Sequence, residues 1–464
     1  MKRSKKIIGS IFSLITIYFL FAVFQSKLLP LNYFFIFALI VLFINGVLTA
    51  TLIFVKNKIF KSLSIFFMII ITIMIIIGLR YSSNTLNFLR NISNLDFETT
   101  KYYGLALKTS GHEQIDDLDV LIHNNMADEM EKLKEVLEEK NVLFEETSDL
   151  TEIYSGLFDE VVDAIVIESN FKDILGEELP EFVDETVIIF EYEIRSELIR
   201  EKRDVNVTED PFNIYISGID TRGSISNRAR SDVNIIMTIN PATKEVLLTN
   251  IPRDYYVRIP GTTGYKDKLT HTGIYGVETS VNTLENLLDT EIDFYLRVNF
   301  SSTVRLIDAL GGITVNSNYA FSTKDYSFSR GNNFMDGERT LAFVRERKRL
   351  PGGDRARGEN QQAAIEGIIN KMTQRDTITR YNSILNSMDG MFDTNMPSKD
   401  IVSLIRMQIS DNARWDINQF SLNGTDSSDF THSYSGSRVY VMEPNMETVE
   451  EAKSLINSLM NINE

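Results

Sequence analysis

Residues 245–260, EVLLTNIPRDYYVRIP, join a short β-branched run to an Arg-Asp pair that stands directly behind a proline. A run of this kind, bounded by Asn and Pro, is typical of a β-strand. FNIYISG (212–218) and VNIIMTI (233–239) have the same character. Short, almost continuously apolar strands suit a sheet whose two faces are both covered. We therefore predict a buried sheet in this part of the chain.

Helical patterns alternate with these strands. SSTVRLIDALGG (301–312) has a serine cap, an apolar face and a glycine stop. GENQQAAIEGIINKMTQ (358–374) places Ala364, Ile365, Ile368, Ile369 and Met372 on one predicted face. The alternation predicts an α/β fold with a central mixed sheet between helices.

Three long apolar runs open the chain, at residues 7–26, 28–55 and 62–79. Each is long enough to cross a bilayer as a helix, whereas a signal peptide would have one shorter apolar core. Lysines and an arginine precede the first run, and lysines fill the loop at 56–61. The positive-inside rule places both segments in the cytoplasm. Three spans then place the remaining chain outside the cell.

Charge is divided unevenly along the 464 residues. Residues 1–95 hold ten Lys and Arg and no acid, which leaves 37 bases and 64 acids in the remainder. So acidic a body repels a phosphate backbone, and we do not expect nucleic acid as a partner. The chain has no cysteine, which excludes disulfides and zinc–thiolate sites.

Residues 96–208 differ in character from the chain that follows. A helical pattern at 126–146 alternates with the strand-like AIVIES (164–169) and TVIIFEYEI (186–194). This alternation predicts a small α/β domain of its own. The polar stretch at 200–211 ends in proline and is a candidate linker.

Charged residues recur near the ends of the strands that follow residue 211, and again after the apolar LAFV at 341–344. They are Asp220, Arg222, Asp232, Arg253, Asp254, Arg345, Arg347, Asp354 and Arg357. Ligands usually bind at the strand ends of an α/β sheet. Arginine forks suit a pyrophosphate, and adjacent carboxylates suit Mg²⁺.

Each of these residues also has a purely structural interpretation. Arg253 and Asp254 could form an isolated ion pair, residues 345–357 could be a solvated face, and Asp220 or Asp232 could cap a turn. The pattern alone leaves these alternatives open, and it leaves a role for His271 open as well.

Seven blocks follow one another between residues 212 and 375. They are IYISGIDTR, SDVNIIMTINP, LLTNIPRDYYVRIPG, DKLTH, NFSSTVRLIDALGGITV, FMDGERTLAFVRER and GGDRARGENQQ. In this order and spacing they resemble the LytR-CpsA-Psr family. Residues 437–460 resemble its closing strand and helix, and three spans followed by an extra module resemble its capsule-associated branch.

The resemblance implies a membrane-anchored α/β/α domain of the family's type, with a central mixed sheet, plus a smaller α/β accessory domain. The domains would be three transmembrane helices at 1–80, an extracellular accessory domain at 96–208, and a catalytic domain at 210–464 with its motif core at 212–375. The implied enzyme, in a Gram-positive envelope, transfers capsular polysaccharide or teichoic acid from undecaprenyl pyrophosphate to peptidoglycan.

The resemblance also implies the site. Asp220 and Asp232 would hold Mg²⁺ against the pyrophosphate. The phosphates would contact Arg222, Arg253, Lys268, Arg345, Arg347, Arg357 and Gln361, with Asp354 completing the site. The polyprenyl tail would lie in an apolar tunnel between sheet and helices. We interpret Asp254 as orienting neighbouring arginines.

The chain departs from the family pattern in two places. Residues 268–271 read Lys-Leu-Thr-His, followed by Gly276-Val277 where the family has a glycine pair. Asn360 stands where the family has an arginine before its glutamine pair. Loss of that arginine removes one phosphate contact, so we expect the outer part of the pocket to differ.

The resulting hypothesis is a Mg²⁺-dependent glycopolymer–peptidoglycan transferase that acts as a ligase. An acceptor hydroxyl attacks the sugar carbon bonded to the pyrophosphate and the lipid pyrophosphate leaves, while arginines and Mg²⁺ stabilise the developing charge. Asp232 and Asp354 are both candidate bases. The alternatives are a lipid pyrophosphatase, a glycan-binding module, and a transcriptional attenuator. The attenuator is disfavoured because the predicted cytoplasmic segments leave no room for a DNA-binding domain.

Overall fold

The computed structural model describes residues 2–27, 29–92, 97–124, 135, 143–147, 150–197, 203–219, 224–374, 377, 384 and 392–461. In chain order these residues build three long apolar helices, a five-stranded sheet with its own helices, and a six-stranded sheet with helices on both faces.

The three N-terminal helices are α1 (Lys2–Ser26), α2 (Leu31–Phe54) and α3 (Lys58–Ile92). Each contains a stretch long and apolar enough to cross a membrane, which confirms the prediction of three membrane-capable helices. Asn45 donates to Thr16 and accepts from Ser13, both at 2.9 Å, and so ties α2 to α1. Polar contacts of this kind hold helices together where lipid provides no hydrophobic drive.

The accessory sheet has the order β3-β2-β4-β1-β5. Its strands are β1 (Phe97–Leu107), β2 (Val120–Asn124), β3 (Leu143–Thr147), β4 (Ala164–Glu168) and β5 (Thr186–Glu197). Its helices are α4 (Leu150–Phe158), α5 (Ser169–Glu178) and α6 (Pro180–Glu185), with a 3₁₀ turn at Ile115–Asp117. β4 and β5 match the predicted strands.

The helix predicted over 126–146 is wrong at its end, because residues 143–146 belong to β3. This strand pairs in parallel with β2, and cross-strand pairing there overrides the helical pattern of the sequence. The preceding part of that prediction, apart from residue 135, lies outside the described residues.

The following domain contains fourteen further strands and six further helices in its described residues. The strands are β6 (Phe212–Ile219), β7 (Ser231–Asn240), β8 (Glu245–Asn250), β9 (Tyr256–Val257), β10 (Asp267–Lys268), β11 (Phe294–Asn299), β12 (Ile313–Ser317), β13 (Phe321–Ser322), β14 (Ser327–Phe328), β15 (Gly331–Met335), β16 (Phe392–Thr394), β17 (Asp416–Ser421), β18 (Gly424–Asp429) and β19 (Val439–Pro444). The helices are α7 (Val277–Leu288), α8 (Phe300–Leu310), α9 (Gly337–Arg345), α10 (Asp354–Met372), α11 (Ser398–Asp411) and α12 (Met446–Leu459), with a 3₁₀ helix at Leu269–Tyr275.

The central sheet has the order β16-β11-β6-β7-β8-β17. β11 with β6 and β17 with β8 are parallel, and the other pairs are antiparallel, which confirms the predicted mixed sheet. Every residue of β6 is buried. Tyr215 packs with α7 and α12 on one face, while Ile214 and Ile216 pack with α10 and α11 on the other. The sheet therefore lies between two helical layers.

Two helix predictions need correction in detail. The N-cap of α8 is Asn299 rather than a serine, and its side chain accepts from Ser302 N at 2.9 Å. The apolar face predicted for α10 is wrong at Met372, which is 46% exposed. The side of α10 that faces the sheet instead carries small residues, because a Cβ on Gly358 would lie 2.3 Å from Asn250 Nδ2. This close approach brings the start of α10 to the end of β8.

Candidate active site

An ion pair between Arg253 and Asp232 lies where β8 ends and β7 begins. Arg253 Nη1 is 2.9 Å from Asp232 Oδ1, and Thr270 Oγ1 donates to the same oxygen at 3.2 Å. Pro252 restricts the backbone that leads from the end of β8 into Arg253, since proline allows little rotation about its own N–Cα bond. The two side chains, which the chain separates by a hairpin, are therefore held together by the sheet.

Two carboxylates hold the guanidinium of Arg253 in its charged form. Burial by itself lowers the pKa of Arg253, but the charges of Asp232, Asp254 and Asp354 and the hydrogen bond to Asp232 together raise it by more, so the net shift is upward. Asp254 Oδ2 lies 3.6 Å from Arg253 Nε. This contact agrees with the interpretation that Asp254 orients a neighbouring arginine.

The start of α10 brings a second pair to the same place. Arg357 Nη2 lies 2.5 Å from Asp354 Oδ1. Burial raises the pKa of Asp354, and this outweighs the lowering by Arg357. Burial lowers the pKa of Arg357. The charges of Arg253 and Arg347 lower the pKa of both members of the pair.

The end of α9 and the turn after it carry two exposed arginines. The Arg345 guanidinium carbon lies 4.7 Å from the centre of the Phe300 ring, at the start of α8. Such stacking orients a guanidinium without neutralising its charge. Arg345 and Arg347 are both exposed, so their guanidiniums are open to an anion from solvent.

Two polar residues complete the positions expected from the family. Lys268 is half-buried on β10 and pairs in register with Tyr256. Gln361 Nε2 lies 3.5 Å from Val344 O, close to Arg345.

Asn360, which replaces a family arginine, is buried and donates to Phe343 O at 3.3 Å. At this position the side chain holds α10 to α9.

Asp220 and Arg222 lie outside the described residues. Their positions follow directly on Ile219, the last residue of β6. Their assignment as a metal ligand and a phosphate ligand stays a prediction, as do the assigned roles of the other site residues.

His271 belongs to a buried structural cluster. Asp267 Oδ1 and Ser433 Oγ each lie 2.7 Å from His271 Nδ1, and Ser433 N donates to Asp267 Oδ2 at 2.9 Å. A Ser-His-Asp relay needs the two partners on opposite ring nitrogens. Both partners share Nδ1 here, so this cluster anchors the loop at 433 to β10 and is not a catalytic relay.

Two contributors were missed in the sequence. Thr270 bonds to Asp232, and nothing in the sequence marks it apart from its place in the DKLTH block. Gln362, next to the predicted Gln361, is buried and donates to Leu248 O and Phe420 O, both at 2.7 Å. Gln362 therefore fixes α10 on the sheet.

Of the two predicted ligands for Mg²⁺, only Asp232 lies among the described residues. Its carboxylate is half-buried, and both hydrogen bonds described for it fall on Oδ1. A hard cation that shares phosphate oxygens and water needs only one or two protein carboxylates. The donor chemistry of this position therefore fits Mg²⁺.

Known proteins resemble the second half of the chain. The profile of the LytR_cpsA_psr family matches residues 190–454. A Bacillus licheniformis protein named polyisoprenyl-teichoic acid–peptidoglycan teichoic acid transferase TagU is 39% identical over 204 residues, which cover 43% of this chain and 66% of that protein. The Bacillus subtilis protein of the same name is 37% identical over 228 residues, 48% of this chain and 73% of its own length.

A solved structure also resembles this domain. The crystal structure of B. subtilis TagV is 27% identical, with a TM-score of 0.47, over 55% of this chain and 99% of that one. The family match covers more than half of the 464 residues, from just inside β5 to α12. The chain belongs to the LytR_cpsA_psr family.

Proposed function

We propose that this chain is a membrane-anchored transferase that moves a glycopolymer from a polyprenyl-pyrophosphate carrier to peptidoglycan. The observation that carries the proposal is the charged cluster of Arg253, Arg357, Asp232 and Asp354, bordered by Arg347. The relatives are named for transfer of teichoic acid from a polyisoprenyl carrier to peptidoglycan, which supports the same activity here.

The arginines of this cluster would bind the pyrophosphate. Arg253 and Arg357 are half-buried and paired with acids, so an entering di-anion gains guanidiniums that are already held in place. Arg345 and Arg347 are exposed and would close on the phosphates from α9. Lys268, Gln361 and Arg222 complete the proposed binding set.

Asp232 and Asp220 would hold Mg²⁺ in this proposal. When bound, the ion supplies positive charge against the pyrophosphate oxygens. The arginines of this chain supply the remainder of that charge, at the place where negative charge grows as the carrier leaves.

We assign the general base to Asp354 rather than to Asp232. The pKa of Asp354 is raised, mainly by burial, and a carboxylate with a raised pKa is the better proton acceptor at neutral pH. Asp232 instead accepts from Arg253 and Thr270, an arrangement that suits a fixed, charged carboxylate. Asp354 would take the proton of the acceptor hydroxyl.

The lipid tail would lie against the apolar cluster between the sheet and helices α8 to α10. This cluster includes Leu306, Ile307, Ile313, Phe321, Phe328, Phe343 and Phe392. The basic residues at the start of α1 and the lysines at 56–61 support an orientation with those ends in the cytoplasm and the catalytic domain outside. The carrier would then be undecaprenyl pyrophosphate in the outer leaflet, and the polymer a teichoic acid or a capsular polysaccharide.

The test uses the full-length protein in lipid nanodiscs with Mg²⁺, a polyprenyl-pyrophosphate oligosaccharide and peptidoglycan fragments. Mass spectrometry of the products should show a covalent glycan–peptidoglycan adduct. A phosphodiester in the adduct with release of lipid monophosphate means attack at phosphorus, and a direct glycosidic link with release of lipid pyrophosphate means attack at carbon. Cleavage of the donor without an adduct would show a pyrophosphatase, and binding without turnover would show a glycan-binding protein.

A further inference from the structure

The accessory sheet makes backbone contact with the segment that leads into Asp232. We define residues 224–232 as the site segment. Thr99 of β1 forms a β-bridge with Asn227, in which Thr99 N donates to Ser226 O at 2.8 Å and Arg228 N donates to Thr99 O at 3.0 Å. The backbone groups of an isolated loop would need water here, so the accessory domain supplies part of the segment's hydrogen bonding.

Glu98, the neighbour of Thr99, is buried between two arginines. Its Oε1 accepts from Arg297 Nη1 at 2.8 Å, and its Oε2 accepts from Arg228 Nε at 3.0 Å. Arg297 lies on β11 of the central sheet and is itself 2% exposed. It also donates through Nη2 to Asn227 O at 2.7 Å. One carboxylate thus joins the central sheet to the site segment.

A second ion pair holds the segment nearer to Asp232. Arg230 Nη1 lies 2.8 Å from Glu177 Oε1, on α5 of the accessory domain. Burial is the largest single influence and lowers the pKa of Arg230, but the charge and hydrogen bond of Glu177 together with the charges of Asp232 and Asp173 raise it, so the net shift is upward. Asn170, also on α5, donates to Arg228 O at 3.1 Å. Contacts from β1 and α5 therefore enclose the segment up to two residues before Asp232.

We infer that Glu98 is a positioning residue for the candidate active site: through Arg228 and Arg297 it fixes the site segment and with it the carboxylate of Asp232. The inference rests on the proposed function of that site. It also gives the accessory domain a function, because contacts from that domain hold the site segment that carries Asp232. Removal of one partner from a buried ion network leaves uncompensated charge, so the segment should lose its fixed position.

The test compares four variants of the full-length protein in nanodiscs, one of which is the conservative Glu98→Asp. Glu98→Gln keeps the shape of the side chain and removes its charge. Arg228→Gln removes one of the two contacts from a less buried position and serves if the first variant fails to fold. Glu191→Gln is the matched control, because Glu191 pairs with Lys101 on the accessory sheet and is about half exposed. The measurements are amide hydrogen exchange along the chain and the rate of polymer transfer.

For Glu98→Gln we expect exchange in residues 224–232 to rise about tenfold, with β5 unchanged, and transfer to fall about 10- to 100-fold with little change in donor KM. Arg228→Gln should do the same to a smaller degree, Glu98→Asp should recover part of the rate, and Glu191→Gln should match the native protein.

Unchanged exchange in the segment, or faster exchange with full transfer, would overturn the inference. If the native protein itself transfers nothing, the proposed function fails, while the exchange data still decide whether Glu98 fixes the segment.

Discussion

Arg253 and Asp232 are paired at 2.9 Å across the edge of the central sheet, with Thr270 bonded to the same carboxylate oxygen. The pair has two consequences. It keeps a guanidinium charged and fixed in a half-buried place, and it gives an incoming phosphate a donor that needs little reorganisation. An ion pair on an exposed surface adds little to folding stability. The importance of this pair is that it holds a guanidinium where a phosphate would bind.

Arg253→Ala should lower the transfer rate about 100- to 1,000-fold, because it removes a preorganised phosphate donor. Arg258→Gln, five residues further along the same stretch, is the control, since Arg258 is exposed and contacts only backbone carbonyls of Gly264 and Tyr265 among the described residues. Rates measured by mass spectrometry of the adduct should separate the two variants. Equal rates would remove Arg253 from the site.

Arg345→Ala should abolish measurable transfer and leave the thermal midpoint almost unchanged. Arg345 is exposed and stacks on Phe300, so its loss costs little stability. Arg349→Ala is the matched control, because Arg349 is exposed nearby and pairs with Glu346 at 3.0 Å. Full activity of the Arg345 variant would contradict the assigned phosphate contact.

Transfer should fall at low pH with a midpoint above the ordinary range of an aspartate. The pKa of Asp354 is raised by burial and by Asp254, against the lowering by Arg357, Arg253 and Arg347. Below that pKa the carboxyl is protonated and cannot accept the proton of the acceptor; above it the base is active.

Asp354→Asn should give a low rate with a flattened pH profile over the same range. Glu359→Gln, on the same helix, should keep the native profile, because Glu359 bonds to Asn318 and Tyr319 away from the cluster. If the asparagine variant keeps the native profile at a useful rate, Asp354 is not the base.

Gln362→Ala should destabilise the protein by about 3 kcal/mol, because it removes a donor from one buried and one partly buried carbonyl and also loses the bond from Ser421. Gln361→Ala, one residue earlier, should leave the unfolding midpoint in place and lower transfer. Thermal unfolding and transfer rates of the two variants test this division. The opposite pattern would reverse the roles of the two glutamines.

Much of the catalytic domain could be predicted from local signals. β6, β7 and β8 are apolar runs with clear stops, and the charged residues at their ends follow from the general geometry of α/β sheets. The predicted face of α10 is wrong at Met372, because hydrophobicity marks this residue, whereas close packing against the sheet selects small residues such as Gly358.

Other contacts have no local signal. Glu98 and Arg297 are 199 residues apart, and their pairing depends on how two separate sheets dock. The same holds for Ser433 and His271, 162 residues apart, whose contact turns a candidate ligand into a structural anchor. Composition and spacing show that such residues are charged or polar, but they do not show which residues they contact in the fold.

Helix α3 continues past the segment suited to the membrane. That segment ends at Arg80 and the helix at Ile92, so residues 81–92 extend it by twelve residues, or about 18 Å. The helix also approaches α11 and β16 of the catalytic domain. A rigid helix, unlike a flexible linker, would hold the catalytic domain at one distance from the bilayer. The reach of the enzyme toward the wall would then be fixed by the length of a single helix, and the polymer rather than the protein would have to span the remaining distance.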